Sequence, residues 1–267
     1  MNNDASPMNE ATAVEDLIVG ATSRHLAVRI WTPNADDGAA PILLYHDSLG
    51  CIAMWRDFPE MLAVATGRKV IAYDRLGFGQ SDPYPGLLDP SFVAAEGEES
   101  VPLLQRVCGF GAFIACGHSV GGGMAVEAAA RHAAQCAGLV TLGAQAFVED
   151  LTVQGIQDAR GDLETETGIA KLAKYHGDKA EWVLRAWVDT WLSSAFKDWS
   201  LADALAGVTC PVLAIHGAQD EYGSRKHAEM IAGRAGQAMI LDNCGHFPHR
   251  EATLIVIESI QRMFSST

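Results

Sequence analysis

The sequence contains no long apolar run. Nowhere does it approach the roughly 20 consecutive apolar residues needed to cross a bilayer. Its first dozen residues, MNNDASPMNEAT, carry acids rather than a basic segment followed by an apolar one. No secretory signal is read there, so a cytoplasmic protein is expected, with residues 1–13 as a flexible N-terminus. Basic residues are scarce as well: 19 Lys and Arg against 33 Asp and Glu give a formal net charge of −14. A chain this acidic repels phosphate backbones and anionic lipid, so neither nucleic acid nor a membrane is an expected partner. A small-molecule substrate is expected; composition leaves the oligomeric state open.

Several chemical signatures are also missing. The six cysteines (51, 108, 116, 136, 210 and 244) form no CxxC pair and follow no regular spacing. They read as reduced thiols serving as small hydrophobes, with Cys51 and Cys244 near the loops singled out below. Nine histidines include no HExxH and no paired ligand spacing, so no metal is expected. Gly77-Phe78-Gly79 and Gly109-Phe110-Gly111 stop short of a complete GxGxxG between strand and helix, and GK[ST] is absent. A dinucleotide or P-loop site is therefore unsupported. His46, His118 and His216 fall at strand ends, where orienting hydrogen bonds are the expected role. His25, His132, His176 and His227 read as surface positions.

What is present is the pattern of a globular α/β protein, with 49% hydrophobic and 19% charged residues in 267. Short apolar runs at 25–31, 41–47, 69–75, 112–118, 138–144, 211–217 and 237–243 read as strands. Several are apolar nearly throughout, as strands covered on both faces are. Helix-like stretches separate them, at 53–66, 98–108, 122–134 and 224–235, with another at 254–264. The alternation predicts a mostly parallel central sheet flanked by helices. From Phe147 to Leu201 the rhythm breaks into helix-like sequence alone. We read 147–201 as a helical cap or lid inserted into a core formed by 14–146 and 202–267. Trp187 and Trp191, four apart with Val183 four before, share one helix face there. They either pack the cap onto the body or form an aromatic ceiling over an apolar substrate.

One junction carries chemistry. Gly117-His118-Ser119-Val120-Gly121 lies where an apolar strand gives way to an alanine-rich helix. A strand running directly into a helix must turn sharply, and glycines two before and two after relieve the crowding. Such a nucleophile elbow raises the serine hydroxyl beside a helix N-terminus. The hydroxyl needs a base, and the base an acid to orient it. Asp220, in the loop after strand 211–217, and His246, after strand 237–243, supply these in the order Ser, Asp, His. Both fall at carboxyl ends of parallel strands, which share one sheet edge. Glu221 is the rival acid and His249 the rival base. Oxyanion donors are expected from the N–H of Val120 and the N–H of Ser48, in the loop after the early strand.

Together these stretches resemble the α/β-hydrolase fold serine hydrolases, from about residue 14 to the C-terminus. The motifs are HDSLG at 46–50, YDRLGFGQSD at 73–82, GHSVGG at 117–122, HGAQD at 216–220 and GHFPHRE at 245–251. The resemblance implies a cofactor-free hydrolase acting on esters, thioesters, lactones, amides or certain C–C bonds. It further implies that Asp74, Arg75, Gly77, Gly79 and Ser81 form a structural loop, although Leu76 displaces one glycine. Ser48-Leu49-Gly50 is similar to the lactonase and esterase branches. Where relatives carry His-Gly, this chain has His46-Asp47. The Asp47 carboxylate either turns away to bond loop N–H groups or contacts a polar or cationic part of the substrate. An ester, thioester or lactone hydrolase is the first expectation. A C–C bond hydrolase of aromatic catabolism on the same triad and a non-catalytic small-molecule receptor are the alternatives.

Overall fold

Side chains alternate across a strand with a period of two, and here both sets are apolar. Ile42, Leu44, Val70, Ala72, Ile114 and Cys116 point into one buried cluster. Leu43, Tyr45, Ile71, Tyr73, Phe113 and Ala115 point into another. The sheet they build therefore has both faces covered. The computed structural model describes residues 12–21, 24–36 and 38–264. As far as residue 11, the flexible N-terminus expected over 1–13 lies outside them.

In chain order the elements are β1 (Thr12–Ala21), β2 (Arg24–Pro33), β3 (Ile42–Tyr45), α1 (Phe58–Thr66), β4 (Val70–Tyr73) and α2 (Phe92–Cys108). Then come β5 (Phe113–His118), α3 (Val120–Arg131), β6 (Cys136–Leu142), α4 (Asp150–Leu163), α5 (Glu166–His176) and α6 (Ala180–Trp191). The last group is α7 (Ala202–Leu205), β7 (Val212–Gly217), α8 (Lys226–Ala232), β8 (Gln237–Leu241), α9 (Pro248–Glu251) and α10 (Thr253–Phe264). One sheet of eight strands runs in the order β1-β2-β4-β3-β5-β6-β7-β8. Its β1–β2 and β2–β4 pairs are antiparallel, and every pair from β4 to β8 is parallel. Helices α1 and α10 cover one face through Phe58, Leu62, Val256 and Ile260. Helices α2, α3 and α8 cover the other through Val101, Leu104, Met124, Ala128 and Ile231.

Two elements differ from the sequence reading. β1 is an additional strand, paired along its length with β2 and tied by a two-pronged Arg29–Asp16 bond at 2.6 and 2.7 Å. Most of it is exposed, so it lacks the buried alternation that marks a strand. α2 begins at Phe92, six residues before the expected start, and runs through Gly97 and Pro102. Any Cβ at Gly97 would collide with the Ala128 backbone of α3, so the two helices approach closely there. Pro102 cannot donate to the carbonyl of Glu98. Nε2 of His132 donates to that carbonyl instead, at 3.1 Å.

Between β6 and β7 the chain leaves the sheet for α4, α5 and α6. Its two ends meet again, where Leu201 N–H donates to the Ala146 carbonyl at 2.8 Å. Two histidines expected at the surface are buried and dock this insertion. His227 accepts from Ala146 N–H at 3.1 Å and donates to Glu149, just before α4, at 2.9 Å. His176, ending α5, accepts from Gly79 N–H and donates to the Leu49 carbonyl, both at 2.9 Å. Among the described residues no helix is long and apolar enough to cross a membrane.

Candidate active site

Ser119 sits between β5 and α3 with φ 54° and ψ −127°. A residue with a Cβ pays for such a conformation with about 1–3 kcal/mol, which surrounding structure must offset. The flanking glycines make the turn sterically possible: a Cβ at Gly117 would strike the Gly121 carbonyl, and one at Gly121 the Tyr45 carbonyl at the end of β3. The Ser119 N–H donates to the Leu142 carbonyl of β6 at 3.0 Å. The hydroxyl projects from the carboxyl edge of the sheet into a pocket of about 440 Å3, part of it open to solvent.

His246 lines the same pocket, in the loop after β8. Its Nδ1–H donates to both carboxylate oxygens of Asp220, at 3.0 and 2.8 Å. That bond sets the tautomer, leaving Nε2 as the basic nitrogen. Glu251 of α9 clamps the backbone on either side of His246, accepting from Gly245 N–H at 2.7 Å and Phe247 N–H at 2.9 Å. Asp220, after β7, also accepts from Tyr222 N–H at 2.8 Å, and Nε2 of His216 lies 3.3 Å from it. Burial works to raise the Asp220 pKa, but the hydrogen bond and charge of His246 outweigh it and hold the carboxyl below its ordinary value. The two rivals stand elsewhere. Glu221 is exposed. His249 is buried against Trp55 and Phe58, away from the pocket lining.

Asp47 to Gly50 form a tight turn after β3, closed by Gly50 N–H on the Asp47 carbonyl at 3.2 Å. That carbonyl also accepts from His46 Nδ1 at 2.8 Å and from Arg75 at 2.9 Å. Arg75 belongs to the loop whose Asp74 carboxylate accepts from the N–H groups of Ile52 and Gln80, at 2.6 and 2.7 Å. The Asp47 carboxylate accepts from Leu49 N–H at 2.9 Å and meets His118 Nδ1 at 3.2 Å. Burial opposes its ionisation, yet the His118 hydrogen bond and charge, with His46 and Leu49 adding to them, hold it well below the carboxylate range. The Ser48 N–H makes no hydrogen bond with any described residue. Val120 opens α3, whose first N–H groups have no partner in their own helix.

Trp187 and Trp191 of α6 form one wall of the pocket, with Ile156 and Thr152 of α4 beside them. Both tryptophans are buried in the insertion and line the pocket. Gln145 and Tyr222 line it too and were absent from the sequence reading. Gln145 follows β6 as Ser119 follows β5, and its Oε1 accepts the Ser119 hydroxyl at 3.2 Å. Its position at the carboxyl end of a parallel strand was the only signal that could have found it.

A sheet of this topology with a serine at the turn after β5 defines a hydrolase scaffold, and the alpha/beta hydrolase family profile matches residues 38–258. The chain belongs to that family. It is 30% identical over 236 residues to mouse (Mus musculus) "Serine hydrolase BPHL", covering 82% of this chain and 75% of that protein. Among solved structures, a thermophilic esterase from Thermogutta terrifontis superposes with a TM-score of 0.70 at 18% identity, over 94% of this chain and 98% of that one. The enol-lactonase from Burkholderia xenovorans LB400 superposes at 0.69 with 20% identity, over 94% and 100%. At such identities the two structures speak for the fold alone.

Proposed function

We propose that the protein is a serine hydrolase that cleaves a small carboxylic ester, thioester or lactone through an acyl-enzyme. The observation that carries this reading is the strained Ser119, held at the mouth of a pocket that also receives the free nitrogen of a His246–Asp220 pair. In this reading Ser119 Oγ attacks the carbonyl carbon while its proton passes to His246 Nε2. The carbonyl oxygen, now negative, accepts from the N–H groups of Ser48 and Val120. Collapse expels the alcohol or thiol, which takes the proton from His246; in a lactone it stays tethered. Water then attacks the acyl group with His246 as base, releasing the acid and restoring Ser119. Each oxyanion donor is worth about 10²–10³ in rate. The 147–201 insertion serves as the cap, with Trp187 and Trp191 against the apolar part of the substrate. Ile156, Tyr222 and Phe247 continue that apolar wall, and the described lining holds Asp47 but no Lys or Arg. A neutral acyl group fits it better than one bearing a carboxylate.

The test is the intact mass of wild type and Ser119→Ala after exposure to a fluorophosphonate, followed by a panel of short-chain esters, thioesters and lactones. The expected result is a single adduct on wild type, none on the variant, and turnover at least about 10³-fold lower for the variant. A folded wild type that takes no adduct and turns over no member of the panel would overturn the reading in favour of a binding protein.

A further inference from the structure

Three buried histidines set one ring nitrogen against a donor and the other against an acceptor. His46 donates from Nδ1 to the Asp47 carbonyl and accepts at Nε2 from Arg75 N–H. His176 and His227 each accept a backbone N–H at Nδ1 and donate from Nε2. One donor and one acceptor make each ring a neutral, single tautomer. His118 is different. Its Nε2 lies 2.8 Å from the His246 carbonyl, which can only accept, so Nε2 carries a hydrogen. Its Nδ1 lies 3.2 Å from Oδ2 of Asp47. An ionised Asp47 can also only accept, and a bare Nδ1 would set two lone pairs against each other where the ring is 1% exposed. One more proton must sit between Nδ1 and Oδ2, on the ring or on the carboxyl.

The place of this pair gives the proton a use. Asp47 precedes Ser48, the N–H donor assigned to the oxyanion, and His118 precedes Ser119. Through Nε2 the same ring grips the main chain of His246. A bare carboxylate one residue from the oxyanion donor, at an effective dielectric near 20, would slow acylation by about ten- to a hundredfold. We propose that His118 is a positioning residue for hydrolysis, sharing a proton with Asp47 so that the oxyanion loop presents no net negative charge. The proposal rests on the serine-hydrolase reading. The groups facing the pair are His46 and Arg75 on the Asp47 side, with His246, His249 and Arg250 on the other. Burial lowers the His118 pKa and Asp47 works against it. The proton is therefore a property of the pair and not of the ring alone.

Two readouts test it. In protein labelled with nitrogen-15 histidine, at pH 7.5, the His118 signals are identified by their loss in His118→Gln or their shift in Asp47→Asn. The expected result is an Nδ1 that carries or shares a proton in wild type and becomes a bare acceptor in Asp47→Asn. A bare Nδ1 in wild type together with an ionised Asp47 carboxyl, read from its carbon-13 shift, overturns the proposal, with no need for any variant to be active. The second readout is the rate of fluorophosphonate adduct formation. His118→Gln should cost about tenfold or more with Asp47 present, and less than about threefold with Asn at 47. Equal costs in the two backgrounds overturn the positioning role while leaving the hydrolase reading intact. A wild type that takes no adduct defeats the hydrolase reading and the positioning role with it; the nitrogen signals still decide the shared proton.

Discussion

Ser119 donates its hydroxyl hydrogen to Oε1 of Gln145, 3.2 Å away, and makes no hydrogen bond with His246 among the described residues. The Ser119 hydroxyl hydrogen is thus held by an amide from the segment that follows β6. Catalytic hydrogen bonds are often loose before substrate arrives, and a rotation about the Ser119 side chain is what would redirect this one.

Gln145 offers a neutral acceptor where a charge would be harmful. Gln145→Glu places a carboxylate beside the attacked carbonyl, and the adduct rate is expected to fall by about 10². Gln145→Met, with similar bulk and no charge, is expected to lose less than about tenfold. Measuring both rates on folded protein separates charge from shape. Equal losses would show that Gln145 serves the pocket by its volume alone.

Strain at Ser119 makes a stability prediction independent of any substrate. Glycine tolerates φ 54° with ψ −127°, whereas alanine keeps the Cβ that makes it unfavourable. Ser119→Gly is expected to exceed Ser119→Ala in stability by about 1 kcal/mol, even after glycine's larger unfolded-state entropy. Urea unfolding of the two variants measures it. Equal stabilities would mean that the turn relaxes once the hydroxyl is gone.

The parts of this molecule legible in the sequence are those where one local pattern suffices. Most of the seven apolar runs became strands covered on both faces, and Ser119, Asp220 and His246 stand in the turn or loops after three of the seven. β1 lacked a pattern because it lies at the exposed edge and exists through its pairing with β2. Gln145 belongs to no motif, and Glu251 closes GHFPHRE without a role that the motif assigns to it. Their roles arise only when β6 lies beside β5, and when α9 folds back over the Gly245–Phe247 backbone. His176 and His227 read as surface residues because each is buried on one donor and one acceptor that the local sequence does not supply. Those partners, Gly79 with Leu49 and Ala146 with Glu149, are distant in sequence.

Asp220 links the site to acid stability. Its folded pKa is depressed, so its contribution is fully present above the unfolded carboxylate value of about 3.9 and is lost as pH falls through the folded value. The stability difference between wild type and Asp220→Asn should shrink from about pH 4 downward, as the Asp220 carboxylate takes up a proton. Unfolding curves across that range test the sign. A difference that grew on acidification would place the proton on the wrong partner of the His246–Asp220 bond.

Trp187 and Trp191 stand one turn apart on α6 but keep different neighbours. Trp191 packs edge-on against Phe196 at 5.1 Å and Trp199 at 5.6 Å, inside the insertion's own aromatic cluster. Trp187 meets Tyr222 at 6.0 Å, and Tyr222 in turn lies 4.8 Å from the His246 ring. Trp191→Ala should therefore act mainly on stability, by about 3–5 kcal/mol for a buried tryptophan. Trp187→Ala removes a wall of the pocket that His246 also lines. It should raise KM several-fold for short apolar acyl groups and admit bulkier ones, because the lost contact is made by substrate as much as by protein. Unfolding curves beside KM values across an acyl-length series decide the matter. If Trp187→Ala lost as much stability as Trp191→Ala and left the acyl preference unmoved, both rings would belong to the scaffold, and the acyl group would have to be selected by Ile156, Tyr222 and Phe247 instead.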